Sequence, residues 1–306
     1  MLSSFFSKSK PINFIIVAIY MLLLYIIAYY KNGFGLNYNS ILISLTGFVA
    51  YILAMLVLNL ITQKNDLTQK STNTILLFAF LTAILPDSLT NIYILLANLL
   101  VILGARSVLS LRNGKHIKSK ILDASLFVSI ASLAYFWSIG FMIFVFLGIL
   151  FFEPKNYRNW IIPIISVITV YILANCFTLL FYDKVFTISD YVDPISFSFN
   201  NYTDQSSVFS IGILIICTLF FFTIYFLKFN RKSTKLKPIL RLIISQWLIA
   251  LVIIIIAPSK STAEMIFIGA PLAIIGTAYL EMDQGKFVKE INLWVFLLLP
   301  FISLLF

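Results

Sequence analysis

The sequence predicts an all-α fold: a polytopic bundle of about 11 transmembrane helices with its N-terminus in the cytoplasm. Three observations carry that expectation. Hydrophobic residues make up 61% of the 306 and charged residues only 11%, whereas soluble domains run at roughly 45–50% apolar and about 25% charged. Apolar runs of near-span length recur along the whole chain. The cations between those runs fall almost entirely on alternate loops. Sixty-one per cent of the chain is about 187 residues, and a bilayer-spanning helix uses about 20, so the oil suffices for roughly nine full spans or more short ones. A soluble enzyme, a nucleic-acid binder and a disordered chain are excluded.

The first run, from Pro11 to about Tyr30, follows Lys8 and Lys10 and is too long for the core of a secretory signal. It reads as a retained first helix. Further runs fall at about 41–61, 73–85, 89–110, 121–137, 139–152, 161–181, 208–227, 239–257, 264–280 and 291–306. The short pairs 73–85/89–110 and 121–137/139–152 are the least defined. A single helix over 121–152 would be about 48 Å long at 1.5 Å per residue, against a hydrocarbon core of roughly 30 Å. A hairpin is therefore expected there.

The charges test this threading independently. With the N-terminus inside, outer segments hold only Lys31, Lys184 and Lys260 of the 22 Lys and Arg residues, and the other nineteen lie inside. Such asymmetry is the positive-inside signature. Pro11, Pro163 and Pro238 sit where helices should begin, a position that tolerates a missing N–H. Pro86, Pro154, Pro194 and Pro258 sit in connections, and Pro271 and Pro300 fall inside spans. One membrane domain, residues 1–306, accounts for the chain, and its longest extracytoplasmic loop is 182–207.

Gly269, Ala273 and Thr277 recur every four residues, a line of small side chains that permits close helix contact. A packing seam within the bundle is one reading and a dimer face the other. The cysteines, Cys176 and Cys217, read as packed thiols or as one disulfide between spans. With His116 the single histidine, zinc and haem sites lack their usual ligands. No cofactor or metal is expected. The motifs for ATP phosphates, zinc-dependent hydrolysis and the serine nucleophile elbow do not occur.

Chemistry is expected at the outer face. The 182–207 loop carries Asp183, Asp190, Asp193 and Asp204. Two outer turns are short and polar: Leu85-Pro86-Asp87-Ser88, and Ala257-Pro258-Ser259-Lys260-Ser261 followed by Glu264. Lys260 and Glu264 are four apart and would share a face if the first turn of a helix held both. Ionisable groups buried at membrane depth are functional candidates by default. Asp87 is the candidate catalytic acid, and Asp183, Lys260 and Glu264 are candidate substrate-binding residues. Runs of 13 or 14 residues reach only about 20 Å as helices, so short helices would open a vestibule there, with Tyr93, Tyr135, Trp137 and Tyr191 as rim residues. The inner clusters Arg112–Lys120 and Lys228–Arg241 are basic enough to meet anionic headgroups. The Glu153–Trp160 turn should pack on the bundle.

In its Lys-rich tip and long first span, its Glu153–Trp160 turn and its Pro258–Pro271 stretch, the chain resembles uncharacterised bacterial multi-pass inner-membrane families. Its short outer hairpins are faintly similar to membrane glycosyltransferases of the GT-C type and related polysaccharide polymerases. That resemblance implies a lipid-linked or envelope-polymer substrate. Those enzymes keep an acid in the first outer loop, whereas Lys31–Ser40 contains no Asp or Glu, so Asp87 would have to replace it. A non-catalytic subunit of a membrane complex is the alternative, and a solute transporter comes third, since central charges are absent. The expected partners are the lipid bilayer, a lipid-linked substrate or other membrane subunits, and no nucleic acid.

Overall fold

The structure is a computed structural model that describes residues 6, 9–32, 37–69, 71–187, 192, 194–197, 199, 202, 204–229, 234, 236–258, 260–282 and 285–305. Among these residues there is no strand. The described residues form twelve α-helices: α1 Pro11–Lys31, α2 Tyr38–Lys64, α3 Asn73–Ala83, α4 Pro86–Thr90, α5 Ile92–Leu109, α6 Ile117–Ala134, α7 Met142–Phe152, α8 Tyr157–Tyr182, α9 Gln205–Phe229, α10 Lys237–Ile256, α11 Ile266–Leu280 and α12 Lys286–Leu305. Short 3-10 turns extend α5 (Ser110–Asn113) and precede α7 (Phe136–Phe141) and α11 (Thr262–Met265). Each of the eleven apolar runs forms a helix; the extra one, α4, is a single polar turn.

Among the described residues, seven helical segments are long and apolar enough to cross a membrane, each at least 19 residues with mean hydropathy of 1.6 or more. They comprise α1, α2, α5 with its 3-10 extension, α8, most of α9, α10, and α11 with its preceding turn. Asn73–Ala83 and Phe136–Phe152 are apolar but shorter. The chain is a helical protein built for a bilayer.

The centre of the bundle is the pair α3–α11. Every residue of α3 is buried, as expected for a helix that is apolar all round. The line Gly269/Ala273/Thr277 faces it. Thr277 Oγ1 lies 3.0 Å from Thr74 Oγ1, and a Cβ on Gly269 would stand 3.0 Å from Thr82 Cγ2. The two contacts pair opposite ends of the helices, so α3 and α11 run antiparallel. All three small residues are buried, so this stripe is spent inside the chain and not on a dimer face. Thr82 also meets the buried Tyr51 hydroxyl of α2 at 2.5 Å. On the far side of α11, Gly276 lets the Phe221 ring of α9 approach to 2.7 Å of where a Cβ would be.

The hairpin expected over 121–152 is present. Helix α6 ends at Ala134, and the Phe136–Phe141 turn reverses the chain. Helix α7 returns beside the end of α5, where Gly148 packs directly on Val108. Two polar contacts tie α6 to α8: Ser125 Oγ to Ser166 Oγ at 2.7 Å and Ser132 Oγ to Tyr171 Oη at 3.0 Å. Interhelical bonds of this kind contribute about 0.6 kcal/mol each.

Two expectations need correction. Helix α8 starts at Tyr157, so Pro163 lies inside it and not at its start; Asn156 opens it by accepting a hydrogen bond from Arg158 N–H. In the Glu153–Trp160 turn, Pro154–Arg158 are exposed. Only Asn159 and Trp160 pack, the indole stacking on Phe146 at 6.1 Å. Cys176 and Cys217 are free thiols, which excludes the disulfide reading; Cys217 is packed as expected, whereas Cys176 is exposed.

Contacts between loops distinguish the two ends of the bundle. At one end Asn32 reaches Thr90, Asp87 meets Thr262, and Tyr202 meets Ser261. At the other, Gln69 N–H and Ser71 Oγ–H both donate to Glu281 Oε1 at 2.8 Å, and Lys120 Nζ donates to Ser110 O. The first end carries the candidate site.

Candidate functional site

Three chain segments build the site. Helix α4 interrupts the α3–α5 hairpin because Pro86 sits in its first turn, a position where proline is tolerated. Asp87 follows it. Asn91 then starts α5, its side-chain oxygen accepting from Tyr93 N–H at 3.1 Å and Ile94 N–H at 3.3 Å, as an N-cap does. Thr90 holds this turn against α1, accepting from Asn32 Nδ2 at 3.1 Å while its carbonyl accepts from Tyr29 Oη at 3.4 Å. Ser210 of α9 donates to Ile84 O at 2.6 Å. The polar turn is thus braced from both sides.

The second segment joins α10 to α11. Thr262 Oγ1 donates to Asp87 Oδ2 at 2.6 Å. Between the two turns lies an open cleft of about 380 Å³ lined by Asp87, Thr90, Asn91, Ile92, Tyr93, Ser261 and Ala263. Asp87 is half-buried in it, and Tyr93, at 65% exposure, stands at its rim. The lining includes a carboxylate, hydroxyls, an amide and a phenol, but no cation.

Lys260 and Glu264 lie behind this cleft, both at 0% exposure. They do not share a helical face, because Lys260 has φ 44° in the left-handed region and the 3-10 turn begins only at Thr262. A non-glycine residue there is strained and persists only where its surroundings over-determine it. The lysine has such support. Its ammonium donates to Ile254 O at 3.1 Å and to Ile255 O, capping the last turn of α10, where a cation also complements the helix dipole. It stands 4.5 Å from the centre of the Phe199 ring. Burial pushes the Lys260 ammonium below its ordinary pKa, and the Glu264 carboxylate opposes that shift. Glu264 Oε2 accepts from Ser261 Oγ at 3.1 Å.

The third segment is the long loop. Phe199 and Tyr202 lie over the turn, their rings 6.3 Å apart, and Tyr202 Oη reaches Ser261 O at 3.5 Å. Burial and, secondarily, Glu264 push the Tyr202 phenol up to about 12. Asp183 caps α8 with φ 51°, is exposed, and among the described residues makes no hydrogen bond or ion pair with the cleft. Asp190, Tyr191 and Asp193 lie outside the described residues. Of the other rim candidates, Tyr135 stacks on Phe267 at 5.8 Å, and Trp137 is half-buried beside Phe136.

Three of the four candidate residues are therefore gathered at one end of α11: Asp87 on the cleft, with Lys260 and Glu264 beneath it. Sequence reasoning missed Thr262, Thr90, Asn91, Phe199 and Tyr202. Asn91 carried a signal, an N-cap residue immediately before an apolar run. Thr262 carried none, being 175 residues from Asp87. Among the described residues no group of three His, Cys, Asp or Glu side chains is arranged to hold a metal ion. No curated protein and no solved structure matches the chain. The family of unknown function DUF6427 matches residues 1–306, and the chain belongs to that family.

Proposed function

We propose that this protein crosses the inner membrane of a bacterium eleven times, as a single domain with its N-terminus in the cytoplasm, and handles a lipid-linked or envelope-polymer substrate at the outer face. The observation that carries this reading is the Asp87 cleft. A carboxylate oriented by the Thr262 hydroxyl, flanked by Thr90, Asn91, Tyr93 and Ser261, presents hydrogen-bonding groups and one aromatic face without a cation. Those are the groups that meet the hydroxyls of a sugar; a phosphate beside Asp87 would be repelled. Thr262 occupies Oδ2, which leaves Oδ1 to accept from a substrate hydroxyl. In a GT-C-like reaction Asp87 would take the proton from the acceptor hydroxyl as that oxygen bonds to the sugar's anomeric carbon, while the bond from that carbon to the lipid-borne leaving group breaks and the leaving group departs with the electron pair. Lys260 and Glu264 serve the substrate by fixing the turn that forms one wall, and Asp183 adds charge to the outer loop.

The orientation is supported by charge: nineteen of the 22 cations fall on the loops and helix ends assigned to the cytoplasm. Seven helices meet the length and hydropathy of a span; α3, α6, α7 and α12 complete the eleven by alternating with them between the two ends.

The test is complementation of a deletion strain. Asp87→Asn keeps the shape and one acceptor, so the protein should accumulate normally while the envelope-glycan defect of the deletion persists. Full rescue of the glycan by Asp87→Asn would overturn the role of the carboxylate.

The second reading, a non-catalytic subunit of a membrane complex, is favoured by α8. Only 11% of its apolar window is buried within the chain, which leaves a long face for another membrane helix.

A further inference from the structure

The outer end of α10 is shared by two differently built depressions. On one side of the 261–265 segment is the polar cleft, to which Ser261 and Ala263 contribute. On the other is a groove of about 290 Å³ between α9 and α10, floored by α11. Its walls include Leu214, Ile215 and Leu219 from α9 and Leu251, Ile254 and Ile255 from α10, with Met265 at the upper end of the floor. The carbonyls of Ile254 and Ile255 receive the Lys260 ammonium, while their side chains line the groove. One buried cation thus fixes the rim of both depressions.

We infer that the groove holds one hydrocarbon chain of a glycosylated lipid whose sugar occupies the Asp87 cleft, a proposal that rests on the preceding reading of that cleft. Three features point to a lipid chain. The groove lies along helices of span length and hydropathy, where the surrounding medium is hydrocarbon and a water-soluble ligand would have to be stripped of its hydration. Its walls are open to that medium, since Ile215 and Leu219 are 54% and 64% exposed. Met265 lines the groove while Ala263 and Ser261, two and four residues earlier, line the cleft, so a single amphiphile could reach both, with its head at the membrane surface and its tail beside α10. Apolar contact with the walls supplies little preference over bulk lipid, because lipid tails are as apolar as leucine. Selectivity must come from the head, with the groove setting where the tail lies.

The experiment uses the full-length protein in phosphatidylethanolamine nanodiscs that contain a small fraction of monoglucosyl diacylglycerol with a diazirine on one acyl chain. The reference is phosphatidylethanolamine bearing the same diazirine chain. Irradiation and peptide mapping should give about tenfold more labelling of the 211–219 and 247–255 segments by the glycolipid than by the reference, with equal labelling of α8 by both. Ile215→Trp, or Leu251→Trp from the opposite wall, should fill the groove and bring the ratio to one; elution as a single species shows that each variant is folded. Equal labelling of the groove by both lipids overturns the inference. If the sugar still protects the Asp87–Tyr93 segment from carboxyl-directed and phenol-directed reagents, the tail proposal alone has failed. If no such protection occurs either, the reading of the cleft falls with it.

Discussion

Helix α11, taken with the turn before it, and helix α8 are both apolar enough to span a bilayer, yet the less hydrophobic of the two is the more enclosed. The Thr262–Leu280 segment has mean hydropathy 1.6 with 94% of its window buried, while Tyr157–Tyr182 has 2.3 with 11% buried. Hydropathy measures the preference for lipid over water and is blind to the choice between lipid and protein, since both are oily. What separates the two helices is side-chain size. Gly269, Ala273, Gly276 and Thr277 let α3 and α9 approach α11 closely. Helix α8 presents Ile161, Ile164, Ile165, Ile168 and Ile172, all about half exposed, and is held to α6 by hydroxyl contacts.

The sharpest way to break this contrast is to fill the contact under α11. Gly276→Leu would drive a side chain into the Phe221 ring, and overpacking of this kind costs about 3 kcal/mol. Thermal unfolding in detergent should show the largest fall of the series. Next comes Lys260→Met, which keeps the stem but leaves the Ile254 and Ile255 carbonyls without their donor. The loss of charge-assisted bonds there is about 2 kcal/mol, and protease cleavage within 257–265 should accelerate. Thr277→Val removes the hydroxyl facing Thr74 at a cost of about 0.6 kcal/mol, a small shift measurable against wild type in the same scan. The smallest effect belongs to α8: Ile168→Ala, on a residue 54% exposed, should change stability by less than about 0.5 kcal/mol. A loss at Ile168 as large as that at Gly276 would show that α8 is covered by another subunit.

The same contrast marks what the residues disclose on their own. The eleven apolar runs, the hairpin at 121–152 and the proline-started helices α1 and α10 were legible, because each follows from local hydropathy, length or a missing N–H; α4 was not, since Pro86 read as part of a connection. The seam at Gly269/Ala273/Thr277 was visible as a pattern, but its partner was not, since nothing local says that Thr74 lies opposite Thr277. At the site, Asp87, Lys260 and Glu264 stood out as ionisable groups in short turns of an oily chain. Their arrangement did not. The spacing of Lys260 and Glu264 implied a shared helical face, and the left-handed Lys260 broke that inference. The Asp87–Thr262 bond and the cover from Phe199 and Tyr202 depend on segments more than fifty residues away. Such contacts arise from tertiary packing and leave no mark on local composition.

A substrate at the outer face requires the Asp87 cleft to open on that side of the membrane. In a background with Cys176→Ser and Cys217→Ala, single cysteines at Tyr93, on the cleft rim, and at Lys115, at the lysine-rich end, can be tested in intact spheroplasts with a membrane-impermeant maleimide. The expected result is labelling of Tyr93→Cys from outside, and of Lys115→Cys only after the membrane is permeabilised. Labelling of Lys115→Cys from outside, with Tyr93→Cys protected until permeabilisation, would contradict it.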